Sequence, residues 1–344
     1  MDHFYLNQAV APRNADVAPI VAVVIPCYRV TEHIMGVLAG LGAEVQQIYV
    51  VDDACPEHSG RHVEAQCTDL RVRVLYHAQN QGVGGAVMTG YKAAIAGGAE
   101  IIVKVDGDGQ MDATLIPLFI APILAGGADY VKGNRFYDLD LIRGMPRSRI
   151  FGNAVLSLMT KLSTGYWDLF DPTNGFTAIH AAVAEWLPFT KISHRYFFET
   201  DILFRLNTLR AVVIEVPMGA RYGAEVSNLK ISRIIGEFLV KHIRNAVKRL
   251  FYNYYLRDVS LASIELPLGI SLIVVGVLYG AYHWIQSAQV GVTTPAGTVM
   301  ASALPILLGM QFVIAFLGYD IAAVPKRPLQ GVLRLRRLRE TDGI

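Results

Sequence analysis

From Ile20 to about Val216 the chain alternates short apolar runs with longer amphipathic stretches. This pattern predicts an α/β fold, a mostly parallel sheet with helices on both faces. The candidate strands cover residues 21–25, 47–51, 72–76, 101–105, 130–133 and 212–216, with helices between them. In open sheets of this kind ligands gather beyond the carboxyl ends of the strands. Polar residues stand there in this chain: Pro26 and Tyr28 after the first strand, Asp52 and Asp53 after the second, Asp106 and Asp108 after the fourth.

Beyond the sheet the pattern changes twice. Between Leu229 and Tyr254 apolar residues recur at helical spacing, with Lys and Arg on the opposite face. Such a helix either lies in a membrane interface or packs on the preceding domain. Residues 266–285 and 299–319 then form two stretches without Asp, Glu, Lys or Arg, each long enough to cross a hydrocarbon core as a helix. Buried core helices are the alternative.

Charge favours the membrane reading. Lys241, Arg244, Lys248, Arg249 and Arg257 precede the first stretch, Lys326, Arg327, Arg334, Arg336, Arg337 and Arg339 follow the second, and residues 286–298 between them carry no charge. The positive-inside rule then gives an integral membrane protein with a hairpin of two spans and both termini in the cytoplasm. The first nineteen residues lack a basic start followed by an apolar run, so the catalytic part is expected to stay in the cytosol. A mean hydropathy of +0.36 agrees with spans, whereas the net charge of +2 conceals the asymmetry. The expected organisation is an extension over 1–19, a catalytic domain over 20–228, a juxtamembrane helical region over 229–258, spans at 264–286 and 299–321, and a basic tail over 325–344.

The fourth strand runs into IIVKVDGDGQMD, where one glycine separates Asp106 from Asp108. Two carboxylates at a strand's exposed end suit a hard cation, Mg²⁺ or Mn²⁺, that keeps places open for phosphate oxygens. A nucleotide diphosphate is the implied partner. Gly82, Gly84 and Gly85 either let backbone approach a ligand or permit a tight turn into a helix. They are not a dinucleotide fingerprint, because Val87 stands where G-x-G-x-x-G needs its last glycine. Cys27, Cys55 and Cys67 lack metal-ligand spacing. His33, His58, His77, His180, His194 and His242 are scattered and read as non-catalytic, and no G-x-S-x-G element argues for hydrolase chemistry.

Seven blocks in order, VVIPCYRV, VVDDACPEHS, NQGVGGAVMTGY, VKVDGDGQMD, KGNRF, DPTNGFTA and RYFFETD, resemble family 2 glycosyltransferases. The resemblance is to the polyprenyl-phosphate branch, similar to dolichol-phosphate mannose synthase, and covers about residues 20–255. It implies a GT-A type, Rossmann-like domain. Pro26 and Tyr28 would floor the nucleoside, and Asp52 or Asp53 would accept hydrogen bonds from base or ribose. Asp106 would face nucleotide and sugar, Asp108 would bind the metal, and Gln110 would support its coordination. Arg135, Arg149 and Asn153, with Arg221, match positions that hold the lipid phosphate, for which arginine's planar fork is suited.

Asp171, Glu199 and Asp201 are the remaining carboxylate candidates, as a base toward a hydroxyl or as groups that orient sugar, metal or arginines. A phosphate acceptor needs no base, since a phosphate monoester is largely ionised near neutrality. The resemblance thus implies an inverting transferase moving a sugar from a UDP- or GDP-sugar to undecaprenyl or dolichyl phosphate. A glycan-extending transferase and a non-catalytic nucleotide-sugar binder are the alternatives. A separate flippase is expected to move the product across the membrane, and Gly269, Gly276 and Gly280 offer a small-residue stripe through which hairpins could pair into a homo-oligomer.

Overall fold

A computed structural model describes residues 18–137, 147–171, 174–219 and 231–333. The chain divides into two compact units. One ends at Asn245 and takes up the chain again at Pro325; the other runs Ala246–Val324.

The first unit is built on a seven-stranded sheet of order β3-β2-β1-β4-β6-β5-β7. Its strands are β1 (Val21–Cys27), β2 (Gln47–Asp52), β3 (Val72–Tyr76), β4 (Ile101–Lys104), β5 (Tyr130–Asn134), β6 (Thr177–His180) and β7 (Val213–Pro217). β1, β2 and β4 are buried on both faces, as near-continuous Val/Ile runs require. Helices α1 (Ile34–Ala39), α2 (Ser59–Gln66), α3 (Val83–Ala96) and α4 (Ile116–Leu124) connect the first five strands. The core joins Ile25, Ile48, Val103, Phe119, Val131 and Phe176, with Phe119 and Phe176 stacked at 4.0 Å.

The six expected strands are present within a residue or two of their expected ends. β6 was not expected, and it is the one strand that runs antiparallel, to both β4 and β5. Four residues, TAIH, carry no apolar run long enough to announce a strand. The reversal has a consequence for chemistry: it sets the start of β6 beside the ends of β4 and β5, with Thr177 in register with both Lys104 and Lys132.

Two helices of this unit are inverted. On α5 (Arg147–Thr164) the hydroxyl residues Ser157, Thr160, Ser163 and Thr164 are buried, whereas Phe151 is 72% exposed and Val155, Leu158 and Leu162 are exposed beside it. On α7 (Ile231–Phe251), which follows α6 (Phe198–Leu209), His242 and Asn245 are buried and Leu239, Val240 and Ile243 are exposed. His242 Nδ1 lies 2.8 Å from Ser163 Oγ, and Asn245 Nδ2 donates to Asp201 Oδ1 at 3.2 Å. Polar side chains thus help to dock α7, and the expected apolar stripe is divided: Leu239, Val240, Ile243 and Val247 are exposed, whereas Phe238 packs on Phe197 at 5.4 Å.

The segment after the second apolar helix belongs to this unit as well. Asp129, buried in the turn before β5, accepts N–H bonds from Val212, Leu329 and Gln330, each at 2.8 Å. Gln330 Nε2 donates to the carbonyls of Ile123 and Ala128. The first part of the expected basic tail over 325–344 thus docks by backbone hydrogen bonds. Residues 334–344, like most of the 1–19 extension, lie outside the described residues.

The second unit contains α8 (Leu261–Val290) and α9 (Ala296–Ala322), of 30 and 27 residues. At 1.5 Å per residue both exceed a hydrocarbon core of about 30 Å. Most of their length is exposed, which removes the reading of buried core helices. Gly269 backs onto Gly309, and Gly276 accepts a 2.9 Å bond from Ser302 Oγ at its carbonyl. Gly280 also faces Ser302. The glycine stripe packs the hairpin's own two helices against each other. Arg249 and Asp320 form a buried two-point ion pair, 2.6 and 2.9 Å, and Tyr254 Oη donates to the same carboxylate at 2.5 Å.

Candidate active site

The loops leaving β1 and β2 come first. Arg29, Ala54 and His58 adopt positive φ of 57°, 52° and 54°, a conformation uncommon for residues with a side chain. The Arg29 N–H donates to Cys55 Sγ at 3.1 Å and so ties the two loops together. Pro26 is half-buried and Tyr28 exposed, with the Arg29 guanidinium 5.5 Å from its ring centroid. Cys27 and Cys55 are buried, and burial pushes the Cys27 thiol up to about 12, so it is an inert structural thiol.

The Asp52 and Asp53 carboxylates, expected to accept from base or ribose, are bonded to backbone N–H groups of their own loops. Asp52 accepts N–H bonds from Cys55 and Gly60, both 2.7 Å, and Asp53 accepts from Gln81 at 2.8 Å and Gly82 at 2.7 Å. His77 Nδ1 also lies 2.7 Å from Asp53 Oδ1. Both carboxylates are buried. They organise the loops around them, because buried N–H groups require acceptors. The glycines are corrected in the same way. Gly82 takes φ +87° as the residue before α3, and side chains at Gly82 or Gly84 would strike the backbone of Ser193 and His194. Their bareness admits the protein's own loop, the tight-turn alternative, rather than an open phosphate cradle.

Asp201 belongs to that scaffold too. It accepts from Ser193 N at 2.9 Å and from Asn245, with Arg205 3.6 Å away. This carboxylate holds the loop that packs on the glycines and is not presented to a reacting group.

A second set of groups converges where β4, β5 and the start of β6 meet. Lys104 ends β4, is buried, and lies 2.6 Å from Asp106 Oδ1 and 3.8 Å from Glu199 Oε1. Burial opposes its charge, but Asp106 and Glu199 outweigh burial and hold its pKa above the usual value. Glu199, in the first turn of α6, is raised by burial although Lys132 and Lys104 pull the other way. Lys132 donates to the Asn174 carbonyl, and burial lowers its pKa. Gly175 sits where any side chain would collide with Lys104, Asp106 and Glu199.

Beside this group Asp171 is fully buried and grips Arg135. Nε donates to Oδ2 at 2.8 Å, Nη2 to Oδ1 at 3.0 Å, and the Arg135 N–H to Oδ2 at 3.1 Å. Burial opposes ionisation, but the Arg135 hydrogen bonds prevail and hold the Asp171 carboxyl below its ordinary value. A carboxylate so bound is poorly placed to act as a base, and it orients the arginine instead. Glu215 braces the assembly, accepting N–H bonds from Phe170 and Asp171 and a 2.6 Å bond from Asn134 Nδ2.

Asp106 and Asp108 are both half-buried on the loop after β4, and Asp108 Oδ1 accepts the Gln110 N–H at 3.0 Å. Among the described residues no three His, Cys, Asp or Glu side chains form a closed metal cage. Two partly exposed carboxylates on one loop fit a hard cation that draws its other ligands from a substrate. Gln110 touches Asp108 through its backbone. Of the other acceptor candidates, Asn153 is half-buried on α5, Arg149 has only its backbone described, and Arg221 lies outside the described residues. The sequence reading missed Lys104, Lys132, Gly175 and Glu215. A lysine inside an apolar strand was the available signal for the first two.

The mostly parallel sheet and its switch in strand order are those of a GT-A type domain. Residues 22–187 match the family model "Glycosyl transferase family 2". It is 28% identical over 217 residues to UDP-N-acetylglucosamine–dolichyl-phosphate N-acetylglucosaminyltransferase of Methanococcus voltae, covering 59% of this chain and 86% of that one. Identity is also 28% over 229 residues to undecaprenyl-phosphate mannosyltransferase of Micrococcus luteus, covering 65% and 93%. These relatives support the polyprenyl-phosphate branch. In fold the chain is similar to glucosyl-3-phosphoglycerate synthase of Mycobacterium tuberculosis in complex with UDP, with TM-score 0.51, 18% identity and coverage of 67% and 80%.

Proposed function

We propose that this protein is an inverting, metal-dependent transferase that moves a sugar from a UDP- or GDP-sugar to a polyprenyl phosphate at the cytoplasmic face of a membrane. The observation that carries this reading is the Arg135–Asp171 fork beside the Lys104, Asp106 and Glu199 cluster: an oriented phosphate-binding cation next to an acidic donor loop. Both named relatives transfer a sugar to a polyprenyl phosphate.

In this reading Asp106 and Asp108 hold Mg²⁺ or Mn²⁺, which would offset charge on the departing diphosphate. Arg135, aimed by Asp171, binds the acceptor phosphate, with Asn153, Arg149 and Arg221 as further contacts. The phosphate oxygen attacks the anomeric carbon; the new carbon–oxygen bond forms as the bond to the nucleoside diphosphate breaks, inverting the centre. No proton needs removal from an ionised phosphate. Pro26 and Tyr28 border the nucleoside, and Glu199 orients the sugar or its neighbours.

The hairpin α8–α9 keeps the enzyme at the lipid surface. The outward apolar residues of α5, a helix with Arg and Lys but no acidic residue, support lipid contact beside the acceptor candidates. A hydroxyl acceptor on a glycan is the second reading, and the raised pKa of Glu199 supports it, since that carboxylate would serve as base.

Mass spectrometry of lipids after incubation with undecaprenyl phosphate, Mn²⁺ and a panel of UDP- and GDP-sugars tests the proposal. A polyprenyl phosphate heavier by one sugar supports it. Sugar found only on a glycan acceptor, and lost in Glu199→Gln, replaces it with the second reading.

A further inference from the structure

Lys104 has no role in the reaction as derived above, yet it occupies an expensive position. It is the last residue of a central strand, in register with Val24 on one side and Thr177 on the other. Charged side chains are seldom buried there unless paired. Its ammonium meets Asp106 at 2.6 Å, Glu199 at 3.8 Å and the face of the Phe198 ring at 5.7 Å from the centroid. Gly175 keeps the space open in which they converge.

We propose that Lys104 is a positioning residue that acts as a built-in counter-cation. It competes with the divalent cation for Asp106, so that the cation is held tightly only together with a nucleoside diphosphate. This rests on the reading that Asp106 and Asp108 hold the cation. Without nucleotide, Lys104 offsets the charge of Asp106, the carboxylate it pairs with at 2.6 Å. A divalent ion approaching Asp106 then meets the ammonium already paired with that carboxylate, an arrangement that Coulomb repulsion disfavours. The diphosphate adds negative charge and oxygen ligands at the same point and reverses the balance. Lys104 also fixes the Asp106 carboxylate between ligands, which limits reorganisation when the donor arrives.

The test is Mn²⁺ binding by the full chain in detergent, read from loss of the aqueous Mn²⁺ electron paramagnetic resonance signal, with no nucleotide, with UDP and with GDP. The wild type is expected to bind weakly alone and at least tenfold more tightly with one nucleotide, and Asp108→Ala to lose the nucleotide-dependent part. Lys104→Met is expected to bind Mn²⁺ at least tenfold more tightly than wild type without nucleotide. Lys104→Gln, which keeps a hydrogen-bond donor without the charge, is expected to share that gain and serves if the methionine variant does not fold. Lysine variants that melt earlier but bind nucleotide-free Mn²⁺ no more tightly than wild type overturn the proposal and leave Lys104 merely structural. A wild type that takes up no Mn²⁺ with either nucleotide overturns the metal reading itself, and this proposal with it.

Discussion

Arg135 and Asp171 meet fork to fork, Nε to Oδ2 at 2.8 Å and Nη2 to Oδ1 at 3.0 Å, with the carboxylate fully buried and the guanidinium partly open to solvent. The pair fixes the direction in which the arginine's remaining donors point. Asp171→Asn should therefore raise the KM for lipid phosphate at least tenfold while leaving nucleotide affinity near wild type. Arg135→Lys should do the same, because lysine lacks the planar fork. Steady-state kinetics with lipid varied at saturating donor, and nucleotide titration by calorimetry, check both.

The same pair predicts an acid dependence. The folded pKa of Asp171 lies below its ordinary 3.8, so its contribution is complete above that value and is lost as pH falls through the folded pKa. Melting temperatures of wild type and Asp171→Asn should differ most above the ordinary carboxylate value of 3.8 and converge as pH falls below it.

His242 gives a separate limb. Burial lowers its pKa from 6.5 to about 4. The unfolded chain then takes up a proton that the folded chain refuses between those values, so stability declines from pH 6.5 toward 4, by about 3 kcal/mol at most. His242→Gln should flatten this limb in thermal melts from pH 7 to 4.

Gly175→Ala places a methyl group among Lys104, Asp106 and Glu199. A displacement near 1 Å at reacting groups costs about a hundredfold in rate. The variant should fold with an unchanged circular dichroism spectrum and lose about that factor in kcat.

In the second unit, Asp320→Ala strips Arg249 of its buried partner and should destabilise by roughly 3–5 kcal/mol. The pair Arg249→Met with Asp320→Leu should recover most of the loss, since a hydrophobic replacement removes both buried charges. Thermal unfolding of the full chain in detergent distinguishes the two.

Much of this was legible in the residues. Strands such as VAVVI at β1 and IIVK at β4 announce themselves because a doubly covered strand has to be apolar on both faces. The two long apolar helices, of a length that could cross a membrane, were legible because about twenty residues without charge have few other uses. The antiparallel β6 was not: TAIH is too short for a pattern, and its direction is fixed by which strands flank it. The acidic motifs divide in the same manner. Asp106 and Asp108 share the partly exposed loop after β4, where their spacing put them, whereas Asp52, Asp53 and Asp201 are occupied by backbone N–H groups of loops whose folding no local pattern reveals. Lys104 and Gly175 are 71 residues apart in sequence, and only the reversed strand brings them together.

The account stands most directly on acceptor-dependent nucleoside diphosphate release by the purified full chain. With undecaprenyl phosphate, Mn²⁺ and the matching nucleotide sugar, release should require the lipid, disappear with chelator, and fall by at least a hundredfold in Asp108→Ala. Release that proceeds equally without lipid, or undiminished in chelator and in Asp108→Ala, would contradict it.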